Sequence, residues 1–229
     1  MEIDPIVDAA ALDKSVRKSI VDQGLHKIKS QGEELWKWRV ICGIYTLLFE
    51  HYDRLIDANI RSFPQHTIAY HTRCLLELMV WTEFAIQSDD NIKSIHADSL
   101  NDSMNLLIKL KQFSENPITP FTIDFKTSED HLKELATKEG LENPTKKFLD
   151  IKEFCSNKGL LEFYLTNNKI LSKVVHPTGF SIVGMTNTTN EAAITQAIVR
   201  EGCRWYAASV RVLSIMFDLE ITLQSDSTI

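Results

Sequence analysis

Three runs of polar residues at helical spacing could do chemistry. In the first, His66, Tyr70, Arg73 and Glu77 fall on one narrow stripe of a helix. The sequence around them, Cys74-Leu75-Leu76-Glu77-Leu78-Met79-Val80-Trp81, is apolar nearly all round, which is the pattern of a buried helix. Charges there must be paired, because an isolated buried charge costs several kcal/mol. The stripe is either a preorganised polar site inside a bundle or an Arg–Glu pair that fixes register or meets solvent near the helix end. In the second run, Tyr164, Asn168, Ser172 and His176 follow one another at intervals of four, flanked by Lys169 and Lys173. A histidine beside a hydroxyl and two ammonium groups can serve as a general base near a phosphate, and cationic neighbours keep such an imidazole neutral. The bland alternative is a solvated face ending in an imidazolium favoured by the helix dipole. In the third run, Gln196, Arg200, Arg204 and Arg211 share a face that Asp218 continues. Arginines so placed bind phosphate or carboxylate ligands, or pair with acids such as Glu77, Glu50 or Asp53 from neighbouring helices.

Other chemistries find no support in the sequence. It has no glycine-rich phosphate loop and no GxSxG elbow. His66 and His71 are five apart and do not share a face, so no metal is expected, and no cofactor. Cys42, Cys74, Cys155 and Cys203 are far apart and read as buried small hydrophobes rather than a disulfide or zinc framework. Trp36-Lys37-Trp38 reads as one core and one interface aromatic. The acids at 33–34, 50, 53 and 57 read as a solvated or pairing face.

The elements that position these residues are helices. Asp4-Pro5 starts the first, with Asp as cap and Pro at the first helical position, and Gly32 breaks it. A second helix runs from Glu33 to about Arg61. After Ser62-Phe63-Pro64 a third reaches about Gln87, and Asp89-Asp90 opens a fourth that ends near Ser114. Asn116-Pro117-Ile118-Thr119-Pro120 cannot be continuous helix. Phe121, Ile123 and Phe125 alternate with polar residues, as in a short extended segment or a loop pinned by its aromatics. Ser128 caps a short helix to Glu139, and Asn143-Pro144 starts another to about Asn157. Gly159 precedes a helix ending near His176, with Pro177 and Gly179 as stop signals. Residues 178–189 form a loop, and Thr189-Asn190-Glu191 opens a last helix to Leu223. The expected fold is one all-α domain, an antiparallel bundle of long helices (1–114 and 159–224) with a small helical and loop insert at 115–158.

Composition sets the outer limits. The 229 residues are 44% hydrophobic and 24% charged, which excludes wholesale disorder. Only 8 Gly and 6 Pro argue against a sandwich or barrel. With 25 Lys plus Arg against 31 Asp plus Glu, the net charge of −6 excludes a generally basic nucleic-acid binder and leaves room for a local basic patch. The acidic N-terminus is no signal peptide. The longest apolar stretch, Val40 to Phe49, is about half of what a bilayer needs. A cytoplasmic location without membrane attachment is the default.

Arg73-x-x-x-Glu77 on a buried helix, followed by Tyr164 and Leu171-Ser172-Lys173-Val174-Val175-His176-Pro177, resembles a pattern of uncharacterised bacterial helical proteins. These in turn resemble the HEPN superfamily. That resemblance covers two short stretches of the chain. It implies a helical bundle, often dimeric, and a metal-independent ribonuclease of the kind found in toxin–antitoxin, abortive-infection and CRISPR systems. The family signature is an Arg, four to six residues, then a His near a helix end. His176 stands at the histidine, and Lys169 stands where an Arg would be expected; Arg73 could supply a guanidinium from another helix. The resemblance therefore implies RNA as substrate, His176 as general base or acid, and Lys169, Lys173 and Arg73 holding phosphate charge. Tyr70, Glu77, Tyr164, Asn168 and Ser172 would support them, in a groove across a homodimer. Two other readings stay open. One is a non-enzymatic helical interaction or regulatory module, partner to an antitoxin or defence protein. The other is a small-anion sensor, with Tyr70, Arg73, Glu77, Arg200 and Arg204 lining a pocket between helices.

Overall fold

A computed structural model of the chain describes residues 3–30, 35–114, 124–138, 151–176 and 191–219. Among these it has eight α-helices and no strand: α1 (Pro5–Lys29), α2 (Leu35–Ile60), α3 (Gln65–Ala85), α4 (Asp89–Ser114), α5 (Phe125–Lys138), α6 (Ile151–Asn157), α7 (Leu161–Val175) and α8 (Glu191–Met216). The fold is all-α. No helix of the described residues is long and apolar enough to cross a membrane.

Local chemistry explains the helix ends. Asp4 caps α1 by accepting the Ile6 N–H at 2.9 Å, with Pro5 in the first turn. α2 stops because Ser62 turns left-handed at φ 53°, which lets the Phe63 N–H donate back to the Ala58 carbonyl at 2.8 Å. The same device closes α6. Gly159 at φ +68° lets the Leu160 N–H reach the Cys155 carbonyl at 2.8 Å, and α7 begins at once.

Two boundaries differ from the sequence reading. α5 begins at Phe125, not Ser128, because Asp124 takes the cap: its Oδ1 accepts the Thr127 N–H at 3.0 Å and its Oδ2 accepts the Thr127 hydroxyl at 2.7 Å. Phe125 is therefore helical rather than extended. α8 stops at Met216, short of Leu223. There Asp218 turns left-handed at φ 51° and the Leu219 N–H donates to the Ser214 carbonyl at 2.9 Å. That turn seats Phe217 against Trp38 and Tyr45, at ring-centroid distances of 5.5 and 6.3 Å. The Gly32 break, the alternation at 121 and 123, the start at Asn143-Pro144, and Pro177, Gly179 and the 178–189 loop lie outside the described residues.

The chain divides into two compact units, 1–87 with 151–229, and 88–150. The smaller unit holds α4 as well as α5, so it begins ahead of the insert expected from Asn116-Pro117. In the larger unit α3 is central. It packs against α2, α7 and α8, and α8 also packs on α1 and α2. The core between α2 and α8 is aromatic: Tyr52 stacks on Tyr206 at 3.8 Å and 8°, and Phe49 meets Tyr206 edge-on at 6.2 Å. The fully buried Tyr206 hydroxyl donates to Asp13 of α1, so a buried phenol has its partner. The acids of α2 are a pairing face: Asp53 takes a two-pronged bond from Arg17 of α1 at 2.7 and 2.6 Å, while Glu50 and Asp57 pair with Arg54 and Arg61 one turn on.

Candidate functional site

The α3 stripe is partly gathered. Arg73 Nε donates to Glu77 Oε1 at 3.2 Å, with both side chains about a third exposed as a half-buried i, i+4 pair. Tyr164 of α7 is buried within electrostatic reach of this pair. Burial raises its phenol pKa, the Glu77 charge and Cys155 raise it further, and Arg73 opposes them. Tyr70 is exposed and hydrogen-bonded to the Cys74 thiol, which raises the phenol, while burial raises the thiol. His66 is exposed at the start of α3.

A feature absent from the sequence reading lies beside this stripe. His51 of α2 and His71 of α3 face each other with their Nδ1 atoms 3.0 Å apart, so one Nδ1–H donates to the other's lone pair. Burial holds His71 down to about 4, the charge of His51 and then Arg54 push the same way, and Glu50 opposes them. Burial lowers His51 too, against the pull of Glu50 and Glu77. The pair is therefore neutral at pH 7. Among the described residues no group of three or more His, Cys, Asp or Glu could hold a metal ion. A signal for the pair did exist: His51 lies ten residues before Arg61 and His71 ten after it, and an αα-hairpin brings positions equidistant from its turn together.

The α7 stripe does not stay together. Tyr164 sits with Arg73 and Glu77, and His176 sits twelve residues further along, about 18 Å down the helix axis at 1.5 Å per residue. Arg73 thus belongs with Glu77 and Tyr164, not with His176. His176 is the C-cap of α7. Its backbone is extended (φ −89°, ψ 148°), its N–H donates to the Ser172 carbonyl at 3.1 Å, and the residue is exposed. One flank of α7 carries Asn168, Lys169 and Ser172 into a shallow groove of mixed polarity, about 500 Å³, that also takes Leu165 and Thr166, and Lys152 of α6. The Ser172 hydroxyl donates to Asn168 Oδ1 at 3.5 Å. Lys173 turns to the other flank, where α7 and α8 border a larger groove of about 780 Å³. Lys169 and Lys173 therefore serve different faces.

The α8 arginines are taken by carboxylates. Arg200 Nη1 donates to Asp4 Oδ2 at 2.7 Å, Arg204 pairs with Glu201, and Arg211 grips both oxygens of Asp8 at 2.6 and 2.7 Å. The partners are α1 and α8 itself rather than Glu77, Glu50 or Asp53. Arg200 and Arg204 thus do not line a pocket with Arg73. Cys42, Cys155 and Cys203 are buried thiols, and Cys74 is the half-buried exception.

The model of a family of unknown function (DUF5677) matches residues 42–193, more than half of the chain. The chain belongs to this family. The matched span carries the His51–His71 pair, the Arg73–Glu77 pair and all of α7 with His176. Arg200, Arg204 and most of α8 fall beyond it. No curated protein and no solved structure matches the chain.

Proposed function

We propose that this DUF5677 protein is a HEPN-like helical effector that cleaves RNA without a metal, in a bacterial toxin or anti-phage defence system. The carrying observation is the end of α7. His176 is exposed at the helix terminus, Ser172 and Lys169 precede it along one flank, and Lys152 lines the same open groove as these two. In this reading the lysines hold the phosphate's negative charge and the imidazole moves the proton of the cleavage step. The Arg73–Glu77 pair and Tyr164 act as positioning residues that set α7 against α3. A homodimer would lengthen the groove with a second copy of the same flank.

The test is metal-free incubation of the purified protein with mixed cellular RNA in a chelator, beside His176→Ala and Lys169→Gln. The expected result is cleavage that His176→Ala abolishes and Lys169→Gln reduces by about tenfold or more, the scale of a lost charge contact. The melting temperature of either variant should move by less than about 2 °C, as for other exposed positions. Equal cleavage by wild type and His176→Ala would remove His176 from the chemistry.

A second reading is favoured by a separate observation. Phe163, Ile170 and Ile194 are large apolar side chains left exposed on α7 and α8, as on an interaction module. Absence of cleavage by all three proteins, with His176→Ala silent in every assay, would move the weight there. The small-anion reading finds less support, since Arg200 and Arg204 are each already paired, with Asp4 and Glu201.

A further inference from the structure

α7 and α8 both pack on α3 and leave between them the groove of about 780 Å³. Ile170, Leu171 and Val174 line one wall; Ile194, Ile198 and Trp205 line the other. The charged groups that border it, Lys173 and Glu201, are of opposite sign, so the site selects no net charge. Trp205 is 2% exposed, and its indole N–H is buried with no hydrogen-bond acceptor among the described residues. A buried donor without an acceptor is a standing energetic penalty that an incoming acceptor relieves. Phe163 lies perpendicular to the Trp205 ring at 6.3 Å and has no lone pair to offer the indole N–H.

We infer that this groove binds a neutral, mostly apolar small molecule bearing one hydrogen-bond acceptor, to which the Trp205 N–H donates. The size fits: small-molecule sites span roughly 300–1,000 Å³ and combine apolar walls with a few placed polar groups. A protein partner fits poorly, since a stable interface takes roughly 20–30 residues a side and ten described residues line this groove. Ile170 and Ile194 are 55% and 42% exposed, so two of the lining side chains have solvent on one side and room to move when a molecule enters. The inference is independent of whether His176 is catalytic. Occupancy would nonetheless bear on that helix, because Leu171 and Val174 belong to the last turns of α7 before His176.

The probes are benzophenone and diphenylmethane, which share a shape and differ by the carbonyl acceptor. Binding is followed by melting temperature and by the indole N–H resonance of Trp205, assigned by its absence in Trp205→Phe. Benzophenone should bind saturably, at least tenfold more tightly than diphenylmethane, and should move the Trp205 resonance downfield. Trp205→Phe should bring the two affinities together. Should that variant not fold, Ala197→Phe fills the groove from an exposed position of α8 and should abolish binding of both probes while the protein stays folded. No saturable binding of benzophenone, equal affinity for the two probes in the wild type, or binding that survives Ala197→Phe would each overturn the inference.

Discussion

At the scale of single residues, the His51–His71 pair carries a definite consequence for stability. Burial pushes the His71 imidazole from its ordinary value of 6.5 down to about 4. Its folded value is depressed, so its contribution is fully present above pH 6.5. Below that the unfolded chain takes up a proton that the folded chain refuses, and stability falls with pH until about 4. The loss over that window is on the order of 3 kcal/mol at most, at 1.36 kcal/mol per unit, and it belongs to the coupled pair rather than to one ring. Urea midpoints at pH 7.5 and 4.5 measure it. His71→Gln should flatten the difference between the two midpoints; an equally steep fall in that variant would assign the acid sensitivity to other groups.

At the scale of helices, glycines report how closely they approach. A Cβ on Gly24 of α1 would meet the Tyr45 hydroxyl oxygen at 2.6 Å, a Tyr45 ring carbon at 2.8 Å and Cys42 Sγ at 3.0 Å. A Cβ on Gly202 of α8 would meet Leu55 Cδ2 at 2.6 Å and Thr72 Oγ1 at 3.0 Å. These contacts lie in buried layers where little can move. Overpacking of this kind costs about 1–3 kcal/mol and outweighs the roughly 1 kcal/mol that alanine gains over glycine in a helix. Gly24→Ala and Gly202→Ala should therefore each lower stability in denaturant unfolding. Gly43, in the middle of α2, has nothing within 4 Å of its would-be Cβ, so Gly43→Ala should raise stability by about 0.5–1 kcal/mol. A rise at all three positions would mean that the helices are not as close as described.

At the scale of the whole molecule, the net charge of −6 makes general RNA attraction weak, so binding must come from the local field of α6 and α7. Many cations of the larger unit are already matched: Arg17, Arg54, Arg61, Arg73, Arg200 and Arg211 each meet a carboxylate. In the proposed reading, Lys152 and Lys169, which border the same groove, are the groups that would displace counterions from RNA. Two phosphate contacts on a single strand predict a slope of about −1.4 in log K against log salt. A filter-binding titration measures it, and a slope near zero would place RNA binding elsewhere or nowhere.

The all-α class was legible in the sequence because helical periodicity, caps and breakers are local. Asp4-Pro5 fixes one end of α1, Asp89-Asp90 opens α4, and Gly159 separates α6 from α7, each through bonds within a few residues of the chain. Where a competing local cap was present the reading slipped by a turn: Asp124 wins over Ser128. Partner choice was not legible, because it depends on how helices cross. The hundred-degree rule puts Tyr164 and His176 on one stripe, but 12 residues of helix separate them, and only α3 decides that Tyr164 meets Glu77. The α8 arginines likewise advertise an anion site until α1 brings Asp4 and Asp8 to them. The His51–His71 bond, the tight seats of Gly24 and Gly202 and the unpaired indole of Trp205 exist only where two or three helices pack. A sequence sets what each face of a helix can offer; tertiary structure sets which offer is met, because contact falls off within a few ångströms while the spacing along a chain does not.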